Sequence, residues 1–173
     1  MYILRPDEKK TPVMVYTQDT LVRGEVVTKQ SAIHMNIWFR TDGVPKYLHF
    51  LNAQVLVFGG TPVKALSYGQ LYFPSSQVIG FHTLPPLEEP LDYESDEANR
   101  TMEVVEALVG TFVIKGKIRI SAQTEMGTSL EMARVSWMSI YEAWITNPYL
   151  PQMPAMHVPM VLVNPNHVAF GFT

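Results

Sequence analysis

Apolar residues in this chain alternate with polar ones in short runs, and turn-forming residues separate the runs. Pro12-Val13-Met14-Val15-Tyr16, the turn Thr17-Gln18-Asp19 and Thr20-Leu21-Val22-Arg23-Gly24-Glu25-Val26-Val27-Thr28 read as a hairpin rich in β-branched residues. Residues 34–40 place Met35, Ile37 and Phe39 on one face, which predicts a third strand. Asp42-Gly43 predicts a tight turn into a strand over 46–58, bent or split in two, which Gly59-Gly60-Thr61-Pro62 ends. Residues 70–73, the turn Pro74-Ser75-Ser76 and residues 77–81 predict a closing hairpin.

The same pattern then returns. Arg23-Gly24-Glu25-Val26 matches Lys115-Gly116-Lys117-Ile118 at an offset of 92 residues. Residues 47–55 match 137–145, and residues 71–78 match 161–168, both at an offset of 90. Three colinear matches indicate an internal duplication. They predict a first module over 1–83, a connection over 84–103 and a second module over 104–173. The connection is acidic and rich in proline to residue 94, as a surface linker is. Ser95-Asp96-Glu97-Ala98 then predicts a short helix, with a serine cap and acids complementing the helix dipole. In the second module, Gly127-Thr128-Ser129 predicts a turn, 130–145 the middle strands, and 160–163 with 167–172 the last hairpin. The expected fold class is all-β: two tandem small antiparallel barrels from an internal duplication, with one short helix in the connection.

Gly24 followed by Met35-Asn36-Ile37-Trp38 resembles the first motif of the Sm-like family, in which a glycine precedes a hydrophobic-Asn pair. Leu71-Tyr72-Phe73-Pro74-Ser75-Ser76-Gln77-Val78-Ile79 is similar in layout to the second motif. Where the family has an RNA-contacting Asp, this chain has Ala32. The family's Arg-Gly is Pro74-Ser75 in one half and Asn164-Pro165 in the other. The resemblance implies a five-stranded barrel of Sm-like or SH3-like kind more than it implies RNA binding.

Composition narrows the chemistry. The chain has 173 residues and 47% hydrophobic content, enough apolar surface for two small cores and a contact between them. With no cysteine, disulfides, thiolate nucleophiles and cysteine-ligated metals are excluded. The net charge is −3, and eight of the sixteen acidic residues fall between Glu88 and Glu106. The 12 basic and 8 acidic residues elsewhere are too evenly balanced to be an electrostatic footprint for nucleic acid. The opening ten residues turn polar after three apolar ones, and no apolar run approaches the roughly eighteen residues of a membrane span. A cytoplasmic protein without a membrane partner is the expectation.

His34, His49, His82, His157 and His167 occur singly, without metal-ligand spacing. His34 and His49 become cross-strand neighbours if their strands pair around Asp42-Gly43, and both are expected to face solvent. Glu25, Glu131 and Glu142 lie in expected strands, where burial raises a carboxyl pKa, but their matched positions hold no second carboxylate. The serines lack a nucleophile-elbow setting, and 59–64 lacks the spacing of a phosphate loop. These readings predict no enzyme, no cofactor and no metal. Aromatic and basic residues remain, and Arg23, Asn36, Trp38, Arg40, Lys46, Tyr72, Lys115, Lys117 and Arg119 form the candidate nucleic-acid or partner surface. The expected function is that of an interaction or structural protein acting by self-association or protein binding. Strand edges and the loop Met153-Pro154-Ala155-Met156 are its candidate contacts. The alternatives are an Sm-like single-stranded nucleic-acid binder and, third, a small-molecule-binding barrel.

Overall fold

The computed structural model describes residues 2–32, 34–40, 43–84, 90–132 and 135–172, with the side chains of 35–37 excepted. The chain is all-β and divides into two compact units, residues 1–89 and 90–173. In the first unit, β1 (Glu8–Tyr16), β2 (Thr20–Lys29), β3 (Tyr47–Val57), β4 (Lys64–Pro74) and β5 (Gly80–Thr83) form an antiparallel sheet in the order β5-β1-β2-β3-β4. In the second, β6 (Arg100–Val109), β7 (Phe112–Ser121), β8 (Met138–Thr146), β9 (Met156–Val163) and β10 (Ala169–Gly171) run β10-β6-β7-β8-β9. Helix α1 (Met35–Arg40) and helix α2 (Met126–Met132) each connect the second strand of a unit to its third. A 3-10 turn, Ser75–Gln77 or Pro165–His167, connects the fourth to the fifth.

Closed barrels and closing hairpins are not what the strands make. Among the described residues the fourth and fifth strands of a unit do not pair with each other: β4 pairs with β3, and β5 crosses back to β1. The turn after β4 redirects the chain instead of folding it flat, since the Ser75 N–H donates to the Lys46 carbonyl at 3.0 Å. The first unit's sheet is therefore open at its fourth strand, β4.

Both sheets bend at a glycine. The β2–β3 register shifts between Arg23 and Glu25, and the β7–β8 register shifts between Lys115 and Lys117. One glycine thus faces two residues of the opposite strand, which is the geometry of a β-bulge. The bulged residues Asn52 and Glu142 have left-handed backbones, with φ of 52° and 49°. Leu48, Phe50, Ala53 and Val55 of the bent β3 are buried, as are Val13, Val15 and Val22. In the second unit Ile114, Ile118, Ile140, Ala143 and Ile145 are buried in the same way.

Residues 35–40 are helical, not the expected strand, with the Trp38 N–H bonded to the His34 carbonyl at 3.1 Å. In six residues, apolar Met35 and Phe39 fit helical spacing as well as alternation, and packing decides. Phe39 is buried and stacks on Phe81 with ring centroids 4.0 Å apart. Asp42 lies outside the described residues, so the hairpin turn expected there is not described. Residues 126–132 are likewise helical where a turn and a strand were expected.

No helix starts at Ser95. Residues 91–99 are turns, Asn99 has a left-handed φ of 66°, and β6 begins at Arg100. Asp92 accepts from Ser139 Oγ at 2.7 Å and from Tyr141 Oη at 2.6 Å, which fastens this segment to β8 as part of the second unit.

Candidate interaction surface

Strand β4 carries the largest aromatic and apolar display of the first unit. Leu66, Tyr68 and Tyr72 are exposed, although Tyr68 faces buried Ala53 across the ladder. Tyr72 stacks on His49, with centroids 4.4 Å apart and planes 9° from parallel. His49 Nε2 lies 3.1 Å from Gln70 Oε1, and Tyr2 meets the histidine ring edge-on at 4.6 Å. Tyr2 is held there because its hydroxyl donates to Glu8 Oε2 at 2.8 Å, and the Arg5 N–H donates to the same oxygen at 2.9 Å. The Arg5 amide, with Tyr2, holds the Glu8 carboxyl below its ordinary pKa, and the bond to Glu8 raises that of Tyr2. A cleft of about 460 Å³ runs beside this cluster, between Tyr2, Lys10, Leu51, Asn52, Gly69 and Gln70.

A second shallow cleft, about 330 Å³, lies at the bulge and contains Arg23, Gly24, Glu25, Asn52 and Gln54. Glu25 accepts from Lys10 Nζ at 3.2 Å and from Asn52 Nδ2 at 3.1 Å. At the matching place in the second unit, Lys117 Nζ donates to Glu142 Oε2 at 2.6 Å. The pair is kept while the chemical roles are exchanged, a relation invisible to position-by-position matching. The Lys117 bond lowers the Glu142 pKa, opposite to what a general acid needs. Glu131 is exposed on α2, not on a strand.

Among the basic candidates, Lys115 reaches Glu106 at 2.8 Å and Lys117 reaches Glu142. Arg119 reaches Glu97 at 2.6 Å, donates to the Glu94 carbonyl at 3.0 Å and lies over the Tyr93 ring at 4.9 Å. All three cations are matched by acids of their own unit. No known family, curated protein or solved structure matches this chain.

The remaining candidates scatter over the first unit. Trp38 Nε1 donates to the Gly43 carbonyl at 3.1 Å, and Arg40 is exposed at the end of α1. Lys46 is exposed beside β3, and Arg23 is exposed on β2. The Asn36 side chain lies outside the described residues. Since α1 replaces the expected strand, His34 and His49 are not cross-strand partners, and His49 is only half exposed. Sequence reasoning missed Leu66 and Tyr68, whose signal is the alternation Leu66-Ser67-Tyr68-Gly69-Gln70. His82, read from the sequence only as a lone histidine, is buried: Nδ1 donates to the Thr83 carbonyl at 2.9 Å, leaving Nε2 to accept from Tyr16 Oη at 2.9 Å. Burial lowers the His82 pKa to about 4. Among the described residues no three His, Asp or Glu side chains converge on a metal position, and no helix is long and apolar enough to cross a membrane.

Proposed function

We propose that this protein works as a structural or interaction component that self-associates through its sheet edges. One observation carries the reading: β4 is eleven residues long, pairs on one side only, and displays Leu66, Tyr68 and Tyr72 on an edge whose only charge is Lys64. Exposed strand edges are ordinarily kept short or guarded by charge, proline or a bulge, because they template pairing with another chain. The barrel closure read from the sequence belongs to this proposal as well, with an open sheet gaining its missing neighbour from a second molecule. Binding of single-stranded nucleic acid is the second reading. It is supported by exposed Arg23, Arg40, Lys46 and Tyr72, and weakened by the matched charges of Lys115, Lys117 and Arg119.

Size-exclusion chromatography with light scattering, recording the 260/280 nm absorbance ratio of the same peak, separates the readings. The expected result is an oligomer with the absorbance of protein alone. A monomer at all concentrations overturns self-association, and retained nucleic acid promotes the second reading.

A further inference from the structure

Each type of strand edge is shielded in one unit and open in the other. On the fourth strands, Ala53 faces Tyr68 in one unit and Ala143 faces Val158 in the other, so Tyr68 and Val158 correspond. Tyr68 is 42% exposed and Val158 only 3%. The fifth strands show the reverse. Gly80, Phe81 and His82 of β5 are buried, whereas Ala169 and Gly171 of β10 are exposed and Phe172 just beyond them is 45% exposed. The chain therefore has one open fourth strand and one open fifth strand.

Resting on the self-association proposed above, we infer that β4 of one molecule pairs with β10 of a second copy, in a head-to-tail contact. Size complementarity favours this partner over a second β4. The large side chain of Tyr68 meets a small residue, Ala169 or Gly171, rather than a copy of itself. Beside β10 a cleft of about 610 Å³ sets apolar Met102, Val104, Ile120, Met126 and Phe172 beside the carboxylates of Glu103 and Glu125, a mixed wall that suits a tyrosine's ring and hydroxyl. Charge agrees: residues 1–89 hold 8 basic and 7 acidic residues, and residues 90–173 hold 5 basic and 9 acidic. A head-to-tail contact joins units of opposite sign, while a two-fold contact through β4 joins like with like. Because the two contacting surfaces differ, the assembly closes into a ring or continues as a filament.

A chain without cysteine makes the test direct. Gln70→Cys and Tyr68→Cys mark β4, and Ala169→Cys and Gly171→Cys mark β10; adjacent strands bring such pairs within disulfide reach. Each variant is first checked for an unchanged circular dichroism spectrum and assembly mass. Mixing a β4 variant with a β10 variant under mild oxidation is expected to give a covalent dimer, which neither variant gives alone. Dimers from a β4 variant alone indicate a two-fold contact and overturn the inference. An oligomer that survives light scattering but cross-links in no combination overturns it too, and leaves self-association standing. A monomeric chain overturns both.

Discussion

A Cβ built on Gly116 stands 2.6 Å from Ile140 Cγ2 and 2.7 Å from the Tyr141 carbonyl oxygen, closer than real side chains come. The corresponding approach at Gly24 is 3.1 Å, to the Leu51 carbonyl oxygen and Phe50 Cδ1. The glycines shared by the two halves are thus explained by strand proximity, without any ligand. Gly116→Ala is expected to lower stability by about 2–3 kcal/mol, as overpacking of a tight core does, and Gly24→Ala by less. Urea denaturation of the two variants checks this, and the opposite order overturns the explanation. His82 gives a second test. Burial lowers its folded pKa to about 4 from an ordinary 6.5, so the folded state binds fewer protons than the unfolded chain between those values. Its contribution, on the order of 3 kcal/mol, is present in full above pH 6.5 and is lost as the pH falls toward 4. NMR titration of the imidazole signals reads the group directly. The His82 ring is expected to remain neutral through pH 6.5, and titration there contradicts its burial.

At the scale of elements, the bent third strands depend on one left-handed residue each. Asn52 holds φ 52° and anchors its amide on Glu25. Asparagine tolerates this backbone better than alanine does, and glycine adopts it freely. Asn52→Ala is expected to destabilise the protein by about 1 kcal/mol, while Asn52→Gly stays near neutral. Thermal unfolding of the pair decides it, since equal effects remove backbone strain as the cause. Elements were legible where the pattern was long: the β1–β2 hairpin and the long, bent β3 follow from alternation and turn residues. Helices α1 and α2 were not. Each is six or seven residues, too short for periodicity to separate from a strand, and α1 is set by the stacking of Phe39 on Phe81, far along the chain.

For the molecule as a whole, the edge strands carry the functional reading, and altering them tests it. Replacing Tyr68 and Tyr72 together by Lys places two charges on the open β4 edge while leaving the buried core of the unit intact. The double variant is expected to become monomeric with an unchanged circular dichroism spectrum, as natural proteins use edge lysines to block pairing. Light scattering checks this, and an oligomer of undiminished mass shows that β4 is not the contact.

How strands were to be shared out between neighbours was never written in local pattern. Alternation, turn residues and the two matched halves established an all-β chain with a doubled layout, because a strand's two faces and a glycine's freedom are properties of a few consecutive residues. They suggested a hairpin after β4, yet β5 pairs with β1 some sixty residues earlier in the chain, with Val15 facing Phe81. They placed Lys115, Lys117 and Arg119 on a candidate nucleic-acid or partner surface, yet Glu106, Glu142 and Glu97 come from separate segments to match them. Pairing and neutralisation join residues distant in sequence, and only the folded chain brings those residues within hydrogen-bonding range.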